Sequence, residues 1–460
     1  MKKQNNAFLE GPLFRNIVTY TIPIILTSVL QLLFNAADLV VVGRFCGSVS
    51  VAAVGATGAI TNLIVNLFIG LSVGAGVTVA HGYGCGDKRT VHRTVHTAIP
   101  TALLGGVILT VVGVACSETF LIWMGTPEDV RTLSALYMKI YFGGITFTLL
   151  YNFAASILRA VGDTKSPLIF LSIAGVINVG LNVIFVTLFH MNVAGVALAT
   201  TISQGVSAVL VVIALMRRTD SCKLNLRKLR FYPQQLKKII SIGLPAGVQG
   251  SLFSISNVII QSSVNSFGPV VMSGNAAAGN IEGFVYVTLN AFHQTAVNFT
   301  GQNAGARNYK RVFRTLWICL GCATVAGLVT GSLAYLFGEK LLSIYITDSA
   351  KAIQYGITRM SFICLPYFLC GLMDVTTGAL RGMGASVSPM VISILGVCGI
   401  RILWIYTIFQ IPAYHTPECL YLSYTISWIA TFLSQLIAYV YIFRQNRRRW
   451  DSLEEATAEA

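Results

Sequence analysis

Residues 27–44 read TSVLQLLFNAADLVVVGR, and Asp38 is the one formal charge between Ile17 and Val42, a run of 26 residues. About 20 apolar residues cross a bilayer as a helix, so this run is a membrane span. A carboxylate inside a span costs roughly 2.5–3.5 kcal/mol or more and marks a functional site by default. Thr27, Gln31, Asn35 and Asp38 are spaced by four, four and three residues, which puts them on one helix face. Pro23, one turn before that stripe, removes a helix hydrogen bond and predicts a bend. The plain structural alternative is an ion pair of Asp38 with Arg44. Their six-residue spacing argues against it, because helical pairs need three or four.

The rest of the chain has the same character. Of its 460 residues 55% are hydrophobic and 11% charged, and its mean hydropathy is +0.71. Soluble domains carry about 25% charged residues, so the fold class is an all-α membrane protein. No cleavable signal peptide is expected, since Met1-Lys2-Lys3 leads through a polar stretch into a span too long for a signal core. The ten cysteines are scattered. Cys319 and Cys322 form a CxxC inside a span with no second ligand pair, which reads as packing rather than a metal site.

Uncharged runs and their punctuation give twelve spans. Ser166–Met216 holds two that turn near His190-Met191-Asn192, and Ile239–Ile281 holds one and begins the next, turning near Gly268-Pro269. With the N-terminus inside, 25 of the 32 Lys and Arg fall on inner segments, six on outer segments or their edges (Arg359 among them) and Arg401 within a span. That split obeys the positive-inside rule, so the net charge of +15 is a topology signal and calls for no nucleic acid.

An internal repeat divides the chain. Residues 158–167, LRAVGDTKSP, match residues 380–389, LRGMGASVSP, at five identical positions and an offset of 222. The same offset aligns Pro23 with Pro245, Asn35 with Asn257 and Phe45 with Phe267. Six spans per half make the halves parallel repeats, an architecture of secondary transporters with the substrate in a central cavity between them. The expected division is a six-helix lobe over 1–216, a cytoplasmic linker over 217–238, a second lobe over 239–443 and a cytoplasmic tail over 444–460. The linker is amphipathic and suits the inner membrane surface. Asp38 maps onto Ile260, so the acid belongs to the first half alone.

Other polar groups lie within spans. Asn178 and Asn182 share a face and serve either a helix–helix contact or a cavity wall beside Asp38. Glu282, Tyr286, Asn290 and His293 form a stripe that faces water or protein rather than lipid. Glu282 and Arg401 each lie about 15 Å from the outer side and are expected to pair. Asp374, nearer the inner side, is a weaker competitor for Arg401. No Gly-Lys-Ser/Thr phosphate loop, metal-ligand cluster or nucleophile motif is present, so no enzyme activity and no cofactor are expected, and an ion gradient must supply the energy unless a partner does.

The NAADLVVVGRF near the end of the first span, LRAVGDTKSP and LRGMGASVSP together resemble the multidrug and toxic compound extrusion (MATE) family, from about Phe14 to Phe443. The closest likeness is to the bacterial branch with an acid in the first helix. The resemblance implies efflux of amphipathic, often cationic compounds by alternating access, in antiport with H+ or Na+, across a bacterial plasma membrane with both termini cytoplasmic. It implies a monomer in the bilayer with small-molecule partners. It places Asp38 at the coupling acid, where Na+ is the metal to consider, Pro23 at a proline linked to its protonation, and Asn178 in the polar cluster. Members of that branch often carry an aspartate where this chain has Asn182. The candidate ion-coupling set is Asp38, Asn35, Asn178 and Asn182; the candidate cavity set is Gln31, Glu282, Tyr286, Asn290, His293, Asp374 and Arg401. The alternative is a lipid or lipid-linked oligosaccharide flippase of related helix plan, which should show more deep basic residues than the one read here.

Overall fold

The computed structural model describes residues 7–346 and 349–458, with the backbone alone for Ser48, Ala59 and 452–458. Lys2 and Lys3 of the topology reading, and the last residues of the 444–460 tail, lie outside the described residues. Sixteen α-helices follow one another, with no strand among the described residues: α1 (Leu13–Phe45), α2 (Ser48–Gly84), α3 (Lys88–Trp123), α4 (Glu128–Gly143), α5 (Ile145–Ala160), α6 (Lys165–Val183), α7 (Asn192–Arg217), α8 (Pro233–Asn265), α9 (Pro269–Gly305), α10 (Tyr309–Leu336), α11 (Gly338–Tyr345), α12 (Ala350–Ile363), α13 (Tyr367–Gly382), α14 (Val387–Ser393), α15 (Ile400–Tyr406) and α16 (Pro417–Ala458). A π-helical turn, Ile184–Leu188, prolongs α6, and another, Ile394–Gly399, joins α14 to α15.

These helices make twelve spans. Among the described residues nine straight stretches are long and apolar enough to cross a membrane, and the pairs α4–α5 and α12–α13 cross as bent spans with angles of 46° and 45°. The first bend falls at Gly143-Gly144, where α5 begins beside Thr201 too closely for a Cβ on Gly144. The second falls at Leu365-Pro366, since proline cannot continue the hydrogen-bond ladder. Helix α9 is the twelfth span; its 37 residues are too rich in Asn, Gln and Gly to stand out by hydropathy. Pro23 lies inside α1, which runs on unbroken.

The turns fall where the punctuation puts them. His190 and Asn192 have φ of 51° and 52°, and Gly268, at 90°, precedes α9. Gly162 and Gly384, at 100° and 88°, are the repeated glycines of the two LR-containing motifs; each occupies the left-handed region that favours glycine. In HGYGCGD, α2 stops at Gly84 and Asp87 caps α3 by accepting from the amides of Arg89 and Thr90, both at 3.0 Å. The Thr90 contact, aided by these amides, holds the Asp87 carboxyl below its usual value.

Packing divides the chain into two compact units, residues 26–251 and residues 1–25 with 252–460. The boundaries differ from those expected at 217–238, because α1 and α8 each change unit part-way along their length. Segment 218–232 belongs to the unit of the first half, docked on the start of α3: Arg230 N donates to His96 O at 3.2 Å, Asn225 N to His96 Nε2 at 3.1 Å and Tyr232 N to Thr97 Oγ1 at 3.2 Å. Residues 444–451 continue α16 rather than forming a separate tail.

The repeat is visible in each unit's packing. In the first-half unit α5 packs on α2 and α3; in the other, α13 packs on α9 and α10. A core of Val79, Val95, Tyr151, Phe153 and Leu158 fills the first. The second is centred on Leu289, Phe299, Leu316 and Leu380. It also takes in the start of the chain, where Arg311 donates to the carbonyls of Phe8 at 2.9 Å, Gly11 at 3.0 Å and Glu10 at 3.1 Å.

Candidate functional site

In the first-half unit α1, α6 and α7 bring four polar side chains into a ring. Asp38 Oδ1 accepts a short hydrogen bond from Asn182 Nδ2, and its Oδ2 accepts from Thr200 Oγ1 at 3.4 Å. Asn182 Nδ2 also donates to Asn178 Oδ1 at 3.2 Å, and Asn178 Nδ2 donates to Thr200 Oγ1 at 3.3 Å, which closes the ring. Asn178 and Asn182 are buried, Asp38 is half-buried. The i, i+4 spacing of the two asparagines on α6 aims both at α1. Gly175, one turn earlier, makes the approach feasible: a Cβ there would fall into the Phe34 ring, one turn before Asp38 on α1. A π-helical turn begins two residues after Asn182, and such turns are frequent at functional sites.

One acceptor of the ring is not used within it. Asn182 Oδ1 is sealed from solvent and accepts no hydrogen bond among the described residues. A buried acceptor left unmade costs about 1–3 kcal/mol. The ionised carboxylate already draws on the available donors, so one more donor or a hard cation would complete the set. Its ligands would be carboxylate, amide and hydroxyl oxygens, the types that suit a proton or a small hard cation. Among the described residues no group of three or more His, Cys, Asp or Glu is placed to hold a metal ion.

Asn35 and Gln31 are not drawn in. Both are exposed and make no side-chain hydrogen bond among the described residues. Thr200 is the member that spacing could not reveal. A threonine within a span is ordinary, and nothing in the pattern ties α7 to α1.

The second-half unit corrects the expected Glu282–Arg401 pair. Glu282 pairs with Arg359, whose Nη2 and Nε donate to Oε2 at 2.8 and 3.1 Å. Arg359 Nη1 donates to Asn275 Oδ1 at 2.6 Å, Tyr421 O–H donates to the same oxygen at 3.2 Å, and the guanidinium lies over the Tyr421 and Tyr424 rings. Helix α12 packs on α9, whereas α15 packs on α16, and that decides the partners. Arg359, read from sequence as an edge charge, is thus paired within the unit and buried, as are Arg381 and Arg401.

Arg401 instead donates Nε–H to Ser427 Oγ at 2.9 Å and stacks over Tyr424 at 4.0 Å, with Trp428 at 5.8 Å. It is 4% exposed and in no ion pair among the described residues. A desolvated cation–π stack returns about 2 kcal/mol, whereas stripping water from a guanidinium costs several.

The expected stripe on α9 splits. Tyr286 Oη accepts from Asn290 Nδ2 at 3.5 Å, and Gln294 donates to Asn290 Oδ1 at 3.1 Å. His293 is buried, and its Nδ1 lies 2.6 Å from the Asp374 carbonyl. Asp374 itself faces the charge of Arg381, seven residues on, rather than Arg401.

Comparison with known proteins follows the same repeat. The family model described as MatE matches twice, over residues 23–184 and 245–407. The "Probable multidrug resistance protein YpnP" of Bacillus subtilis (strain 168) is 27% identical over 396 residues, covering 86% of this chain and 88% of the relative. Among solved structures, "Crystal structure of MATE in complex with MaL6" superposes with a TM-score of 0.87 at 21% identity, over 98% of this chain and 100% of that one. An "Outward-facing conformation of a multidrug resistance MATE family transporter of the MOP superfamily" gives 0.86 at 22% identity, over 99% and 100%.

Proposed function

Because the chain belongs to the MatE family, and is thus a membrane transporter and not an enzyme, we propose that it exports amphipathic, cationic compounds in exchange for H+ or Na+, with the Asp38 ring as the coupling site. The observation that carries this reading is the ring itself: a membrane carboxylate supplied with donors from α6 and α7, beside an amide oxygen that lacks one. Ionised, Asp38 uses Asn182 N–H and Thr200 O–H. Protonated, its own O–H becomes a donor, and Asn182 can turn its oxygen toward it, so one proton reverses a hydrogen bond between α1 and α6. Sodium would act as cargo at the same oxygens. Either change removes the cost of a buried negative charge and frees α1 to repack against α6 and α7. Coupling of that movement to alternate opening of the halves gives exchange.

Asn178 positions Asn182 and Thr200. Asn35 and Gln31, exposed on the Asp38 face of α1, would meet substrate or water. In the second half Tyr286, Asn290, Asp374 and Arg401 are the polar groups proposed to meet substrate, while Glu282 with Arg359 and His293 with the Asp374 carbonyl hold the framework. The transporter would work as a monomer in a bacterial plasma membrane, with both termini cytoplasmic and no cofactor. A flippase for a pyrophosphate-bearing lipid would need several uncompensated bases, and Arg359 is taken by Glu282.

The test is efflux of ethidium from proteoliposomes with an imposed pH or Na+ gradient. Export that follows either gradient and stops when it collapses is expected; ethidium movement indifferent to both gradients would refute the proposal.

A further inference from the structure

We infer that Arg401 is an anion-accepting subsite, fit for the carboxylate of an aromatic amphiphile. Its setting is a cation held in place without a counter-charge. One of its five N–H donors is used, by Ser427. The two terminal nitrogens carry the other four; they have no acceptor among the described residues, yet they are not among the sealed polar atoms. They therefore open onto accessible space while the side chain as a whole is 4% exposed. A guanidinium cannot shed its proton to escape this situation, as a lysine could. Its geometry, two parallel N–H groups in a plane, matches a carboxylate.

The neighbours suit an aromatic ligand. The titratable groups facing Arg401 include Tyr424, Tyr367, Cys370 and Cys398, and no carboxylate is within ion-pair distance among the described residues. Tyr367 packs on Trp428 with ring centroids 5.1 Å apart, and Tyr424 on Trp428 at 5.8 Å. The Tyr367 hydroxyl likewise has no partner among the described residues and is not sealed in. It could donate to a second carboxylate oxygen or to a polar group beside it. The backbone is adapted as well. The π-helical turn Ile394–Gly399 leads directly into α15, and Gly396 lies against Thr431 with no room for a Cβ.

This narrows the substrate class of the exporter proposed above to cationic amphiphiles that also carry a carboxylate beside an aromatic body, that is, aromatic zwitterions. It rests on that reading for its meaning, but its test is binding, which needs no transport. The probes are 2-naphthoate and 2-naphthylmethylammonium, of equal ring size and opposite charge, titrated into the purified full-length protein by calorimetry at neutral pH. Wild type is expected to bind naphthoate, with displacement by benzoate and not by benzylammonium. Arg401→Gln should weaken naphthoate about tenfold or more and leave the ammonium probe unweakened. Arg401→Lys should restore part of the loss, since it keeps the charge and loses the fork. Should Arg401→Gln fail to fold, Ser427→Ala and Tyr367→Phe are read instead, each expected to weaken naphthoate several-fold and the ammonium probe not at all. Absence of naphthoate binding to wild type, or equal loss of both probes in these variants, overturns the inference. Loss of gradient-driven ethidium export alone would refute the exporter and not this subsite.

Discussion

Replacing Glu282 by Gln leaves Arg359 buried with no counter-ion. The two bonds to Oε2, at 2.8 and 3.1 Å, lose their anionic acceptor and at best become bonds from the guanidinium to a neutral amide oxygen, while the Asn275 bond at 2.6 Å and the tyrosine faces remain. Breaking one side of a buried pair costs about 3–5 kcal/mol. The surviving contacts put Glu282→Gln near the lower end, about 3 kcal/mol. Arg359→Gln takes away both donors to Glu282 and should sit nearer the upper end, about 5 kcal/mol. The double variant carries no stranded charge and should lose less than the sum, with a coupling energy of about 2 kcal/mol or more. The measurement is reversible denaturant unfolding in mixed lipid–detergent micelles for wild type, both single variants and the double. Single effects that add to within about 0.5 kcal/mol would refute the pairing as an energetic unit.

Other expectations follow from the same contacts. Gly175→Val would drive a side chain into the Phe34 ring and should part α6 from α1, with export lost while the protein still inserts, as read by ethidium efflux and by size-exclusion profile. Arg311→Ala removes the guanidinium that holds the carbonyls of Phe8, Glu10 and Gly11, and should speed proteolysis within residues 7–11 and cost about 1–3 kcal/mol in denaturant unfolding. Asp87→Ala removes the α3 cap at a cost of about 1 kcal/mol. The folded state lowers the Asp87 carboxyl from its usual 3.8, so the cap's contribution is complete above that value and fades as pH falls through the lower folded value. A wild-type advantage over Asp87→Ala that grew on acidification would contradict this.

The sequence shows the architecture well and the partners poorly, for a physical reason. Span length, turn residues and the positive-inside bias are local properties, and so the turns at His190–Asn192 and Gly268 were legible. The repeat was legible too, and the family model finds it at Pro23 and Pro245. Asp38, Asn178 and Asn182 stand out because polar side chains are rare inside spans, and the structure joins them. Thr200 did not stand out, because threonine is common there. Depth alone matched Glu282 with Arg401, but depth says nothing of azimuth. The bend at Leu365-Pro366 and the packing of α12 on α9 give Glu282 to Arg359 instead. Likewise, Asn35 shares a face with Asp38 in sequence, yet the α6 and α7 partners reach the acid alone.

The coupling role of Asp38 is tested most directly by Asp38→Asn in proteoliposomes, with ethidium efflux followed under an imposed pH or Na+ gradient and ethidium binding measured in parallel. The account expects the variant to insert and to bind ethidium, while its efflux no longer responds to either gradient. Full gradient-driven efflux by Asp38→Asn would contradict it.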